Sequence, residues 1–316
     1  MMRHASRILG GGAAFFAALA SFACSAPQLN ERVRAQPETI AVNSGPGVAV
    51  AASLREASTG ETLKETVAFG ENGRCPKNMV LIEGRFCIDR FEASLVEVLP
   101  SGDERPFSPF SLVEGKTNVK AISAPDVYPQ GYISAVEAQR ACNASGKRLC
   151  KIDEWRQACK GPEKQSFGYG ERREPGRCND KGKNPVLTLF GRNYSRWTMN
   201  QPQLNQLEGT LAKTGTHEGC TNGYGVYDMV GNLHEWVADP KGTFSGGYYQ
   251  DVMSQGHGGG CGYVTTAHNA RYHDYSTGFR CCADLPGESL QVVKGLSGPK
   301  SSSAKPPRPK KSRKKR

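Results

Sequence analysis

Three kinds of side chain in this sequence have types and spacings that could do chemistry. The first is cysteine, of which there are 11. Cys24 stands alone near the start. Cys75, Cys87, Cys142, Cys150, Cys159, Cys178, Cys220, Cys261, Cys281 and Cys282 form an even set, which suits disulfides in an oxidising compartment. Zinc is the rival use, but it needs close pairs such as Cys-x2-Cys, and none is present. The second kind is a late group of His257, His268 and His273 with Asp251 and Asp274. Two His and one carboxylate can form a non-haem iron triad; polar loop histidines are the plainer reading and the one adopted. The third is aromatic: Trp197, Tyr248, Tyr249, Tyr263, Tyr272 and Tyr275 lie among Gly, Ser and Asn, the composition of an adaptable binding surface. About half of these rings are expected to fill the core instead.

Few regular elements are available to position these residues. The runs MVLI and RFCID around Gly84 predict a β-hairpin with Cys75 and Cys87 near its ends. Ser134-Ala-Val-Glu137 has capping-box spacing, and Val136, Ala138, Ala141 and Cys142 follow on one face. Gly146 ends that helix. A second helix is predicted over 152–160, stopped by Gly161-Pro162. Beyond it the chain reads as loops and short strands. The expectation is an α+β domain with a small twisted sheet, two main helices and much irregular structure. Hydrophobic content of 37% and 37 glycines agree with a loop-rich fold.

The ends differ from this domain. Residues 1–23 read as an export signal: Arg7 precedes an apolar run from Ile8 to Phe22, shorter than the roughly 20 residues a membrane span needs. Cys24 follows Ala23 as a lipidated Cys follows a lipoprotein signal, although Ser21 stands where Leu is usual; ordinary cleavage after Ala23 is the alternative. Residues 24–74 read as a disordered tether and 286–316 as a disordered basic tail, leaving 75–285 as the domain. The formal charge is +11. Arg3 and Arg7 supply two of these charges, nine lie between Lys300 and Arg316, and the remainder of the chain is balanced. A basic domain built on phosphate contacts is therefore excluded, and nucleic acid is not the expected partner. Outside the cytoplasm, residues 298–316 would meet anionic envelope polymers or lipid headgroups.

Three segments carry a resemblance: GKRLCKIDEW (146–155), NGYGVYDMVGNLHEW (222–236) and TGFRCCAD (277–284). With the opening MVLIEGRF and with Gly246-Gly247, they resemble the sulfatase-modifying factor, or formylglycine-generating enzyme, family across residues 79–284. The resemblance implies a fold related to C-type lectins. It implies two disulfides, Cys142–Cys281 and Cys159–Cys261. Cys75 is paired locally with Cys87, and Cys178–Cys220 with Cys150–Cys282 is the assignment adopted for the other four, whose pairing stays open. Trp155 and Trp236 fall in the family's core motifs and are expected to pack inside.

The family oxidises a substrate cysteine to formylglycine with copper held by two thiolates. Soft Cu(I) needs soft ligands. The corresponding positions here are Asp251 and Gly256, and Tyr248 replaces the Ser of the family's GGS element. The resemblance thus implies a domain without its copper apparatus. It also implies two structural calcium sites. One would use the side chains of Asp228 and Glu235 with the carbonyls of Gly231 and Leu233. The other would use the side chains of Asn179 and Asn205 with the carbonyls of Asp180 and Leu207; Asn205 replaces an Asp there, which weakens it. Copper and iron are not expected.

These observations lead to an exported, lipid-anchored, calcium-stabilised binding module, in the periplasm or outer membrane or else secreted. A peptide or glycan would sit near Tyr248, Asp251, Gly256 and His257. The alternatives are an oxidase or oxygenase with altered metal ligands, and a structural envelope protein working through its tail.

Overall fold

The hairpin expected around Gly84 is formed by β1 (Met79–Ile82) and β2 (Phe86–Asp89), which pair antiparallel. This computed structural model describes residues 73–287 and 295–296. The export signal, Cys24, nearly all of the tether and residues 298–316 of the tail lie outside the described residues. The hairpin continues into a four-stranded sheet of order β1-β2-β13-β6, through β13 (Cys281–Ala283) and β6 (Arg148–Leu149). The last segment of the domain therefore lies between its first strand pair and the entry to its second helix.

A second sheet, not legible from the sequence, joins β3 (Ala93–Val98) to β4 (Glu104–Pro106) and β5 (Val119–Ser123). It packs against α1 (Ala135–Ala144). Ser134 caps this helix as expected, and the Glu137 side chain reaches back to Ser134. The buried positions Val136, Ala138, Ala141 and Cys142 recur at helical spacing, which turns one stripe inward. The backbone N–H of Val136 donates to Ala270, tying the start of α1 to the late loops. The second predicted helix, α2 (Ile152–Lys160), buries Trp155, Ala158 and Cys159. The sequence reading missed α3 (Pro185–Phe190), although an Asn184 cap followed by Pro at the first helical position is a start signal.

The third sheet positions the site. Its order is β11-β8-β7-β12, built from β7 (His234–Trp236), β8 (Phe244–Ser245), β11 (Val264–Thr265) and β12 (Thr277–Phe279). β7 and β12 run parallel. A two-stranded ribbon, β9 (Met253–Ser254) and β10 (Gly258–Gly259), closes the loop that follows Asp251.

Two main core clusters flank β13. One gathers α1, β3 and β5 with Trp236 and Phe279; the other gathers α2 and the hairpin with Trp155 and Val252. Trp155 and Trp236 are fully buried. The disulfides are Cys75–Cys87, Cys142–Cys281, Cys150–Cys282, Cys159–Cys261 and Cys178–Cys220, the five pairs written above.

Candidate functional site

Successive residues of a strand face opposite sides, and β7 uses this to serve two environments. Glu235 points to one side. Its Oε2 accepts from Trp155 Nε1 (2.7 Å), and its two oxygens take the Arg280 guanidinium at 2.6 and 2.7 Å. His234 and Trp236 point to the other side, with ring centroids 4.5 and 4.8 Å from Phe244. Trp236 is fixed by its indole N–H, which donates to Ile133 (2.8 Å). His234 looks toward Tyr248, with centroids 4.7 Å apart, and toward Tyr263, at 5.5 Å.

Tyr263 is the hub of a polar cluster. Its hydroxyl donates to Asp251 Oδ2 (3.1 Å) and lies 3.1 Å from His257 Nδ1 and 3.4 Å from His234 Nε2. Ser254 Oγ adds a contact to His257 at 3.1 Å. Burial first, and then the Asp251 carboxylate, push the phenol well above its ordinary range. Tyr263 is thus a neutral donor at ambient pH and no nucleophile. Burial likewise raises Tyr248 to about 12, with Asp274 and Asp251 adding to the shift. Tyr248 and Asp251 exchange backbone hydrogen bonds of 2.9 and 3.0 Å, folding the chain back on itself. Gly247 permits this return: at φ +73°, a Cβ there would lie 2.2 Å from the Asp251 carbonyl. The structure therefore brings together Tyr248, Asp251 and His257, and adds His234 and Tyr263. Gly256 is exposed at φ +90°, a backbone state that L side chains rarely adopt.

His234 is buried and held neutral. Burial, then His257 and His268, lower its pKa to about 3. The unfolded value is about 6.5. The unfolded chain therefore binds the extra proton as pH falls below 6.5, and the stability held by neutral His234 drains away toward pH 3. The loss is about 1.4 kcal/mol per pH unit at most. Buried carboxylates such as Asp274 act in the opposite direction, since burial raises them. The measurement is thus a difference: urea unfolding of wild type and His234→Phe at about pH 7.5 and about pH 5. We expect the wild type to lose about 2 kcal/mol more than the variant over that interval; equal losses would show that His234 is not buried neutral.

The iron-triad candidates do not share a centre. His257 belongs to the Tyr263 cluster. His268 stacks on Tyr272, with centroids 3.6 Å apart at 7°. His273 meets Asn200 Oδ1 through Nδ1 (2.8 Å) and lies 3.3 Å from Arg196. Asp274 accepts from Tyr272, and from Ser276 at 2.8 Å. Among the described residues, no three His, Cys, Asp or Glu side chains form a group that could hold a metal ion. Of the six aromatics nominated as surface, Tyr249, Tyr263 and Tyr275 are buried, Tyr248 and Tyr272 are half-buried, and Trp197 is 65% exposed.

The nominated calcium ligands divide. At Asn179, Asp180, Asn205 and Leu207 most of the nominated atoms have partners within the protein. The Arg173 guanidinium covers Asp180, meeting its carbonyl at 2.7 Å and its carboxylate at 2.6 Å. Asn179 donates to Thr210 and Asn232; Asn205 bridges Tyr249 and Tyr275; the Leu207 carbonyl accepts from Thr210. The Asn179 amide nitrogen, the Asn205 side chain and both carbonyls are thus engaged within the protein, and the Asp charge is lost at Asn205, which weakens this donor set for calcium. The Asp228–Glu235 turn is different. Asp228 is buried, its Oδ2 accepts from Gly215 N–H (2.7 Å), and burial raises it to about 7. Glu92 lies beside it, fully buried, and accepts from Leu233 N–H (3.1 Å) and from Asn232. Three buried carboxylates, Glu92, Asp228 and Glu235, thus share one guanidinium, Arg280. Glu235 is itself already taken by Arg280, so Asp228 is the carboxylate of this turn that Arg280 does not contact.

A profile of the Sulfatase-modifying factor enzyme 1-like domain matches residues 26–311. The chain is 28% identical over 182 residues to "Formylglycine-generating enzyme" of Mus musculus, covering 50% of this chain and 44% of that protein. It is 30% identical over 119 residues to "Inactive C-alpha-formylglycine-generating enzyme 2" of Bos taurus, covering 35% and 33%. The chain thus spans less than half the length of these relatives. Among solved structures, "Major Tropism Determinant U1 Variant" aligns with a TM-score of 0.38 at 16% identity, covering 66% of this chain and 53% of that one.

Proposed function

The chain belongs to the Sulfatase-modifying factor enzyme 1-like family, and within it we propose that it is a binding member without copper chemistry. In this reading it is exported, anchored through a lipid on Cys24, and receives a peptide or glycan beside Tyr248, Asp251, Gly256 and His257. The kinship to C-type lectins implied by the resemblance belongs to the same proposal. One observation carries it. All ten cysteines among the described residues are closed in disulfides, and the resemblance would put Asp251 and Gly256 at the positions of the copper thiolates. A carboxylate and a glycine supply no soft ligand. A cysteine returned to position 256 would also inherit a backbone suited to glycine. The Asp251–Tyr263–His257 cluster supplies fixed donors and acceptors for a ligand's polar groups instead.

Calcium enters this proposal at one place. Asp228, with the carbonyls of Gly231 and Leu233, would hold it, and the ion would neutralise the carboxylates that Arg280 alone leaves in excess. The tail, residues 298–316, would keep the protein against anionic envelope polymers or lipid headgroups.

The test is a thiol count with metal analysis on the native chain, followed by oxygen uptake with Cu(I) and a cysteine-containing peptide. The expected result is no reactive thiol from residues 75–285, no stoichiometric copper and no oxygen uptake above the protein-free control. Calcium at about 100 times its dissociation constant should add about 2.7 kcal/mol of stability, and Asp228→Asn should remove that response. Two reactive thiols with copper-dependent formylglycine formation would overturn the reading.

A further inference from the structure

A cleft of about 670 Å³ opens on the face reached from His234 through Phe244. It shares no residue with the Asp251–Tyr263 cluster, and neither the copper nor the calcium argument uses it. Its floor is aromatic and preorganised. Tyr272 lies face to face on His268 at 3.6 Å, and His268 in turn lies near-parallel to Phe244, 6.0 Å away at 16°. The Tyr272 hydroxyl donates to the buried Asp274 carboxylate. One face of the ring is thus covered and its tip is tethered, while the half-buried ring still lines the cleft. Such a ring offers a flat surface at little ordering cost.

The walls carry two guanidinium groups, Arg196 and Arg271, and one carboxylate, Glu114. Arg196 and Arg271 are exposed and line the cleft. The Arg271 guanidinium has no ion pair among the described residues, while Arg196 reaches Glu114 only at 3.5 Å. Planar guanidinium forks match carboxylate and sulfate oxygens. Asn269 uses its Oδ1 on the Arg271 N–H, which leaves its amide N–H groups for a hydroxyl. Burial lowers the pKa of His268, which favours the neutral ring in the stack.

From this arrangement we infer that the cleft binds a saccharide residue bearing an acidic group, with its ring on Tyr272 and its carboxylate or sulfate on Arg271 and Arg196. An acidic peptide fits less well. Strand-edge addition, one route to affinity for an extended peptide, is closed here, since no residue lining this cleft belongs to a strand. The inference goes beyond the binding reading above, at a second place on the domain, and it fails separately: a chain that ignores acidic sugars but takes up no copper would lose this inference and keep that reading.

The experiment is calorimetric titration of the full mature chain with four probes: a trigalacturonate, a heparin-derived tetrasaccharide, a neutral galactose trisaccharide and tetraglutamate. The same tail is present in every variant, so differences between variants report the cleft. The acidic sugar should bind, with affinity lowered about tenfold or more by Arg271→Ala. Arg271→Lys should restore part of it. Tyr272→Phe, which keeps the ring, should stay within about threefold of wild type, and Tyr272→Leu should not. Uronate against sulfate then identifies which acid is preferred. Affinity unchanged by Arg271→Ala and Arg196→Ala would place the binding in the tail and overturn the inference. So would tetraglutamate binding lost with the same substitutions, or no binding of either acidic sugar.

Discussion

Replacing Arg280 by Met should cost about 3–5 kcal/mol of folding stability, the range for breaking a buried ion pair from one side. The guanidinium is fully buried and does three things at once. It closes a two-pronged pair with Glu235, donates to the carbonyls of Asp89 (3.1 Å) and Tyr227 (2.8 Å), and lies in the field of Glu92 and Asp228. Met fills much of the volume but leaves three buried carboxylates without a compensating cation and two carbonyls without donors. Burial and mutual repulsion already raise Glu92 and Asp228 while Arg280 is present; without it some of these groups must take up protons to stay folded. At about 2–4 °C per kcal/mol for a domain of this size, the midpoint should fall by roughly 10 °C or more. The measurement is thermal and urea unfolding in chelated buffer, so that no divalent ion masks the effect. Adding Glu235→Gln to Arg280→Met should recover part of the loss, since Trp155 keeps an acceptor and one charge disappears. A single variant within 1 kcal/mol of wild type would show that the carboxylates are not held by Arg280 at all.

The position of Arg280 also shows what the sequence could and could not reveal. TGFRCCAD was visible as a motif, as were the turn before Glu235 and the helix carrying Trp155. The first two were legible through the family resemblance. The hairpin around Gly84 and both main helices were legible from local signals: turn residues, a capping Ser134 before α1, and Gly161-Pro162 after α2. The sheet of β3, β4 and β5 was not. β3 is buried through its first four residues and half-buried after them, β4 is wholly exposed, and only β5 alternates cleanly. The site divided along the same line. Asp251 and His257 could be named from their place in a pattern. His234 sat inside the quoted motif, and the signal that would have found it is a titratable ring between Leu233 and Glu235 in a buried run. Arg196 and Arg271 had no such signal. They lie 75 residues apart among ordinary surface cations, and only the path of the chain around α1 and the late loops brings them to one cleft.

The second large effect is expected at β13, where Cys281 and Cys282 are consecutive. Neighbouring strand residues face opposite sides, so this dipeptide sends one disulfide into each main core cluster. Cys281 joins Cys142 on α1 in one cluster, and Cys282 joins Cys150, just before α2, in the other. The separations are 139 and 132 residues. In the chain-entropy model each closure removes about 5 kcal/mol from the unfolded state, against about 3 kcal/mol for Cys75–Cys87, which spans 12 residues. The two closures are not independent. Once Cys142–Cys281 is formed, Cys150 and Cys282 are already confined by neighbouring links, and the second bridge closes a short effective loop. We therefore expect Cys142→Ser with Cys281→Ser to cost about 2–4 kcal/mol while Cys150–Cys282 remains, and the same for the reverse pair. Removing both bridges should cost more than the sum of the two losses, and near 37 °C should leave no folded domain. Urea unfolding of the two paired variants and the fourfold variant, with thiol counts to verify each bridge, measures this. Strict additivity would show that the bridges act on separate parts of the chain, and that β13 does not fasten the two clusters together.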